Sequence, residues 1–154
     1  MNPSRKPTPV GEEMSVATQH TSELLTTARQ RMHMIEIPMN AIGDCSAPNW
    51  DQPLFVELSR GLVPIYRALK TVEEAEEPGH IHQGVDECAK AVDQLLAFAR
   101  KELGTKEHRT DPNLKSVRDQ LTAIQHATKR AAKKLGSETW VEQTASKQSG
   151  RELS

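Results

Sequence analysis

The clearest set of side chains that could bind a ligand is a group of cations between residues 112 and 136. At about 100° per residue, five of them fall within an arc of about 80° on one predicted helix. These five are Lys115, Arg118, His126, Lys129 and Lys133, and Arg130 and Lys134 widen the stripe. Such a stripe could contact the phosphates of nucleic acid or the headgroups of anionic lipid. The alternative interpretation is a solvated helix face whose cations cluster at the C-terminal end, where the helix dipole favours positive charge.

An acidic cluster lies near the end of the predicted second helix and consists of Glu73, Glu74, Glu76 and Glu77. The helix dipole disfavours carboxylates at this position. In an up-down-up-down bundle the second and fourth helices end at the same pole, so the cluster could neutralise the cations of segment 129–134. Whether the basic stripe is free or neutralised in this way stays open at this point.

The same glutamates match the spacing E-E-x-x-E, which resembles the Mg²⁺-binding motif of all-helical nucleotide pyrophosphatases. That resemblance implies metal-dependent nucleotide hydrolysis as one alternative function. These enzymes need a second motif, E-x-x-D, on the following helix, and here Lys90 stands three residues after Glu87. Short motifs match frequently by chance, so this alternative is the weakest.

Histidines and cysteines do not show the spacing of a metal site. The predicted bundle gathers His20, His80, His82 and His126 at one pole and His33, Cys45 and His108 at the other. Neither set contains the Glu-x-x-His pairs of di-iron bundles or a C-x-x-C zinc motif. The sequence also has no Gly-rich phosphate loop or nucleophile elbow. We therefore predict no catalytic residue, metal or other cofactor, and we interpret the histidines as surface residues.

The elements that position these side chains are four amphipathic helices of similar length. Apolar residues repeat at alternating spacings of three and four, which is a period of 3.5 and favours coiled-coil-like packing. The last two stripes are the most regular: Ile81, Val85, Cys88, Val92, Leu95 and Ala99, then Leu114, Val117, Leu121, Ile124, Thr128, Ala131 and Leu135. The first is Met14, Ala17, Thr21, Leu24, Ala28 and Ile35, and the second is Leu54, Leu58, Leu62, Ile65, Leu69 and Val72. The pattern predicts an all-α, antiparallel, up-down-up-down four-helix bundle.

Prolines, glycines and capping residues define the predicted boundaries. We expect a disordered tail over 1–11, a bundle over 12–136 and a polar extension over 137–154, with Trp140-Val141 able to pack back on the bundle. Pro38 should end the first helix and Pro64 should kink or split the second. Pro78 and Gly79 should close the second helix, and Gly104 and Gly136 should end the third and fourth. Asp51 and Asp111 are expected to begin helices, each shortly before a proline.

Composition limits the classes of function that remain. The chain of 154 residues is the size of one domain, and its net charge of −1 excludes a uniformly basic protein. Aromatic residues make up 3% of the chain, which argues against a stacking surface for single-stranded nucleic acid. Two cysteines are too few for a disulfide framework, and Cys88 on an apolar stripe is expected to be buried. The N-terminal segment lacks an apolar signal core, so we expect a cytoplasmic protein, with peripheral membrane association as the alternative.

Several short segments between Leu58 and Trp140 carry a resemblance to a known family. They are the string Gly61-Leu62-Val63-Pro64-Ile65-Tyr66, the helix around Asp86-Glu87-Cys88, the string Ala97-Phe98-Ala99, and Pro112-Asn113-Leu114 followed by a basic run. This pattern resembles the N-terminal four-helix domain of mixed-lineage kinase-like necroptosis executioners and related fungal cell-death and adaptor modules. The resemblance implies a helical signalling module that binds partners or acidic lipids without catalysis.

The sequence therefore favours a non-catalytic helical interaction module with a protein partner, an adaptor or a subunit of a larger assembly. Leu25, Met32, Phe55 and Tyr66 lie off the strict heptad stripes and are candidates for the partner face, although they could equally widen the core. The main alternative is an electrostatic binder of nucleic acid or anionic membrane that uses the basic stripe. Nothing in the sequence indicates a small-molecule substrate, and the oligomeric state stays open.

Overall fold

The computed structural model describes the backbone of residues 9–48 and 50–153 and the side-chain surroundings of residues 21–48 and 50–136. It contains four helices: α1 (Pro9–Gly43), α2 (Gln52–Glu74), α3 (Pro78–Leu103) and α4 (Pro112–Leu153). The described residues contain no strand. The predicted all-α class and the number of helices are confirmed.

Pairs of contacting residues show that neighbouring helices run antiparallel. Between α1 and α4, Glu23 pairs with Arg130, whereas Arg31, further along α1, donates to Gln120, further back along α4. Every sequential pair of helices packs together, and α1 also packs extensively on α4, so the four helices form a closed ring. Helices α2 and α4 lie diagonally opposite each other. The predicted up-down-up-down bundle is therefore confirmed.

The heptad stripes of α3 and α4 form the core as predicted, since every residue of both stripes is buried. In α1 the buried stripe runs further than expected and includes Met39 and Ile42. Two buried polar residues, Thr21 and Thr128, lie on the stripes. The hydroxyl of Thr128 donates a hydrogen bond to the carbonyl of Ile124 at 2.7 Å, and its oxygen lies 3.7 Å from the sulfur of Cys88. The buried hydroxyl is therefore hydrogen-bonded within the core.

Helices α2 and α3 approach closely because each contributes a glycine to their contact. A Cβ on Gly84 would lie 2.6 Å from Cγ2 of Val72 and 3.0 Å from the backbone nitrogen of the same residue. A Cβ on Gly61 would clash with the side chain of Leu95. A side chain at residue 84 would meet backbone atoms and force the two helices apart, whereas one at residue 61 would require the side chain of Leu95 to move.

Aspartates begin two helices as predicted. Asp51 accepts a hydrogen bond from the amide of Leu54 at 3.0 Å, and Pro53 follows in the first turn of α2. Asp111 accepts from the amides of Asn113 and Leu114 at 2.9 and 3.2 Å. Gly104 ends α3 as expected, although with right-handed backbone angles, and its amide donates to the carbonyls of Arg100 and Lys101.

Two of the predictions about prolines were wrong. Pro38 does not end α1, which continues to Gly43. Of the two outcomes predicted at Pro64, the split does not occur, because α2 continues to Glu74; the kink stays a prediction. An internal proline costs about 3 kcal/mol, but the five residues of α1 beyond Pro38 bury Met39 and Ile42, which return about 1.5–3 kcal/mol each. Pro78 does not close α2 either. That helix ends at Glu74, and Pro78 is the first residue of α3, where a missing amide costs nothing.

The predicted end of α4 at Gly136 was also wrong, since the helix runs to Leu153. A glycine inside a helix costs only about 1 kcal/mol, which the residues on either side can outweigh. Residues 9–11, assigned to a tail, belong to α1, and residues 1–8 lie outside the described residues. The suggested packing of Trp140-Val141 on the bundle also concerns side chains outside the described set.

Candidate interaction surfaces

The exposed large apolar residues all lie in the layer formed by α1, α2 and their connection, within the described residues. They are Met34, Ile37, Trp50, Val56, Val63 and Tyr66. Ile37 is 75% exposed, the highest value of the six. The described parts of α3 and α4 contribute none. Single exposed apolar residues are ordinary, but their confinement to one of the two layers marks that layer as a candidate contact surface.

Two contacts fix how α1 and α2 are aligned. Arg29 forms an ion pair with Glu73, and Gly43 faces the ring of Phe55 at the other end of the layer. Because the helices run antiparallel between these contacts, Ile37 stands at the level of Val63. Tyr66 is exposed about one turn further along α2. The middle of the layer therefore carries an apolar patch that consists of Ile37, Val63 and Tyr66.

A groove of about 390 Å³ opens beside this patch, between α1 and α2. Its lining is Arg29, Met32, His33, Glu36, Tyr66, Leu69, Lys70 and Glu73. The apolar residues of the lining include the buried Met32 and Leu69, and the charged residues stand on both helices. The groove exists because α1 packs less extensively on α2 than on α4. The groove has an apolar interior and a polar rim, as binding sites usually do.

Charges around the groove are paired or close to an opposite charge. Besides the ion pair of Arg29 with Glu73, the amine of Lys70 lies 3.9 Å from the carboxylate of Glu74. Partial burial and the nearby negative charge of Glu36 raise the pKa of Tyr66. The phenol of Tyr66 is therefore neutral at physiological pH and can donate a hydrogen bond to a bound group.

The four predicted partner-face residues divide into two kinds. Met32 is only 3% exposed and widens the core, because the stripe of α1 is broader than a strict heptad seam. Leu25 and Phe55 are partly buried and pack against the core. Tyr66 is 48% exposed and lies on the candidate surface. Sequence reasoning missed Ile37 and Val63, which are both exposed. The available signal was that each is a single apolar residue on the polar face of its helix.

The basic stripe of α4 is present but partly neutralised. Arg130 lies 2.9 Å and Lys134 lies 3.9 Å from the carboxylate of Glu23 on α1, and Arg118 pairs with Asp119 at 2.9 Å. The remaining members of the stripe, Lys115, His126, Lys129 and Lys133, are exposed and form no ion pair with another described side chain. The free charge is thus carried by lysines.

Of the two possibilities left open for the acidic cluster, neutralisation of the α4 cations is not what Glu73 and Glu74 do. Glu73 pairs with Arg29 and Glu74 with Lys70, because α2 neighbours α1 and lies diagonally across from α4. The cluster also does not form a Mg²⁺ motif on one helical face. Helix α2 ends at Glu74, and Glu77 is the residue that precedes α3.

A third feature, which the sequence analysis did not predict, is an ionic cluster around His108 in the connection between α3 and α4. The Nε2 atom of His108 lies 2.8 Å from Oδ2 of Asp51, and Nδ1 lies 3.1 Å from Oε1 of Glu102. The imidazole is 13% exposed, so the interpretation of this histidine as a surface residue was wrong. Carboxylates facing both ring nitrogens favour the imidazolium form, which donates from both.

The pKa values of His108 and Asp51 both shift in the direction that favours the charged form. Burial alone would lower the pKa of His108, but the hydrogen bond and charge of Asp51, with the charges of Glu102 and Asp111, raise it overall. Burial alone would raise the pKa of Asp51, but hydrogen bonds from His108 and the Leu54 amide, with the charge of His108, lower it overall. The cluster joins the start of α2, the end of α3 and the loop before α4. A histidine between two predicted helix caps at one pole was the signal that could have revealed it.

Among the described residues, no three His, Cys, Asp or Glu side chains are arranged to hold a metal ion. Across the part of the chain that the structure describes, no helix combines the length and apolar character needed to cross a membrane.

Comparison with protein-family models, with curated proteins and with solved structures found no significant match to this chain.

Proposed function

We propose that this chain is a non-catalytic helical interaction module that binds an amphipathic helix of a protein partner on its α1–α2 layer. The observation that carries the proposal is the confinement of the exposed large apolar residues to that layer. A partner helix would lie along the layer and place apolar side chains at successive turns against the patch, a form of recognition related to helix-in-groove binding.

The arrangement of the layer fits what interfaces need. Hot-spot residues usually lie near the centre of an interface, with a polar rim that excludes water around them. Here Ile37, Val63 and Tyr66 stand in the middle of the layer, and the ion pair of Arg29 with Glu73 stands at its edge. Burying one such aliphatic side chain fully contributes about 1.5–3 kcal/mol.

The resemblance to the four-helix domains of necroptosis executioners and cell-death adaptors supports the same class of function. It places the module in signalling or in a larger cytoplasmic assembly. This assignment belongs to the proposal and rests on the pattern of residues between Leu58 and Trp140.

The proposal predicts that one double substitution abolishes partner binding. Changing Ile37→Glu and Val63→Glu puts two carboxylates into the centre of the layer, so partner binding should fall by at least about 100-fold. The measurement is affinity capture of the tagged chain from its host, followed by identification and titration of the retained protein.

The matched control is the double variant Gln94→Glu and Ala97→Glu, which adds the same charge to exposed positions of α3. It should retain the partner. Circular dichroism establishes that both variants are folded. A partner that still binds the Ile37/Val63 variant, or no specifically retained protein at all, would contradict the proposal.

A second candidate function is electrostatic binding through α4, and the three unpaired lysines favour it. Between residues 112 and 136, α4 carries six Lys and Arg residues against one Asp. If this face binds a polyanion, the triple change of Lys115, Lys129 and Lys133 to Glu should abolish binding to anionic vesicles or duplex nucleic acid. These lysines are better targets than Arg130 and Lys134, whose replacement would also break ion pairs with Glu23.

The salt dependence of binding distinguishes the two candidate functions. Electrostatic binding weakens steeply between 50 and 200 mM salt, whereas apolar docking on the α1–α2 layer should change little. Binding that survives both the salt series and the triple lysine change would eliminate the electrostatic candidate.

A further inference from the structure

We infer that the α1–α2 layer docks onto the same layer of a second copy of this chain, which gives a two-fold symmetric homodimer. The inference rests on the proposed function, because it names the occupant of the surface proposed there. Three properties of the layer support it: its alignment, its charge and its size.

The alignment of the two helices makes the layer self-complementary. Ile37 on α1 and Val63 on α2 stand at the same level and both are exposed. A two-fold axis that runs parallel to the helices, along the groove, places α1 of each copy over α2 of the other. Ile37 of one copy then meets Val63 of the second copy, and the contact occurs twice. This is the isologous geometry of most soluble dimers.

The charge of the layer permits two copies to approach. Apart from Glu23 and Arg31, which contact α4, residues 21–43 and 52–74 contain four Lys or Arg residues and four glutamates, so this part of the two helices carries no net charge. Several of these charges are already paired inside the layer, including Arg29 with Glu73 and Arg60 with Glu57. The exposed face of α4, in contrast, carries the unpaired Lys115, Lys129 and Lys133, and two such faces would repel each other.

The size of the layer is sufficient for a stable dimer. Helix α2 has 23 residues and is therefore about 34 Å long, and two adjacent helices are about 20 Å wide. Each copy offers about 700 Å², and about 1,400 Å² in total falls in the standard range for specific interfaces. An interface of this size needs an apolar centre, which the exposed Ile37, Val63 and Tyr66 supply.

Sedimentation equilibrium of the full chain at micromolar concentrations tests the inference. The wild-type chain should be a dimer, and the variant with Ile37→Glu and Val63→Glu should be a monomer. We expect its dimer dissociation constant to rise at least about 100-fold. The variant with Gln94→Glu and Ala97→Glu should remain a dimer. A monomeric wild-type chain, or a dimer insensitive to the Ile37/Val63 change, overturns the inference.

Disulfide crosslinking tests the geometry without relying on a destabilising charge. In a Cys45→Ser background, copies with Ile37→Cys are mixed with copies with Val63→Cys and oxidised. The proposed axis predicts crosslinks mainly between the two different variants. Crosslinks mainly between identical Ile37→Cys copies would show an axis perpendicular to the helices and would overturn the inference.

The two proposals can fail separately. A monomeric chain that captures another protein in a manner dependent on Ile37 and Val63 would remove the homodimer and keep the interaction module. A monomer whose partner binding is indifferent to both residues would remove both.

Discussion

Replacing Gly84 with leucine is expected to lower the free energy of unfolding by about 3 kcal/mol or more. Gly84 is buried where α3 crosses α2, and even a single Cβ there would lie 2.6 Å from the side chain and 3.0 Å from the backbone nitrogen of Val72. Backbone atoms cannot move aside as the end of a flexible side chain can. The leucine must therefore push α2 and α3 apart and open the core along their whole contact.

The control is the same substitution five residues earlier, since a Cβ on Gly79 would meet nothing within 4 Å. Gly79→Leu should change the free energy of unfolding by no more than about 0.5 kcal/mol. Urea unfolding followed by circular dichroism measures both variants. Equal effects at the two positions would contradict the close approach of α2 and α3 as the reason for glycine at residue 84.

Replacing Asp51 with alanine is expected to cost about 2–4 kcal/mol near pH 5.5. Asp51 caps α2 through the amide of Leu54, and loss of a cap costs about 1 kcal/mol. It also accepts a charge-assisted bond from His108, and such bonds contribute about 1.5–3 kcal/mol. Asp111→Ala removes a cap with no such bond to the imidazole and should cost only about 0.5–2 kcal/mol. A larger loss for Asp111→Ala than for Asp51→Ala would contradict the role given to His108.

The pH dependence of this contribution has a defined sign. The folded-state pKa of His108 is raised, so its contribution is complete below about pH 6.5 and is lost as pH rises through the folded value. The folded-state pKa of Asp51 is lowered, so its contribution is present above 3.8 and is lost as pH falls through the folded value. The stability difference between wild type and His108→Gln should therefore be greatest at about pH 4–6 and smaller at pH 9. Chemical unfolding at each pH measures it, and a difference that grew with pH would contradict the cluster.

The helical stripes were predictable because they depend on spacing alone. Every predicted core position of α3 and α4 is buried, and Asp51 and Asp111 begin their helices as expected. The helix ends near Pro38, Pro78 and Gly136 were not predictable from these residues themselves. A proline or glycine has a fixed local cost, but whether a helix continues depends on apolar surface buried further along, as at Met39 and Ile42.

The candidate surfaces were less predictable, because they depend on which helices become neighbours. The cations of α4 and the acidic cluster were each visible in the sequence, but the pairing of Arg130 with Glu23 follows only from the packing of α1 on α4. Tyr66 was identified as lying off the core stripe, yet nothing local showed that it would share a groove with His33 and Glu36. The cluster at His108 likewise combines residues 57 positions apart.

The two cysteines of the chain differ in a way that gives the bundle an internal reporter. Cys45 is exposed, whereas Cys88 lies in the core beside Thr128, where burial raises the pKa of its thiol to about 11. Only the thiolate reacts with thiol reagents, so the folded chain offers one reactive cysteine and conceals the other. Cys88 becomes available when α3 separates from α4, and the rate at which a second thiol is titrated therefore measures how often the closed ring of helices opens.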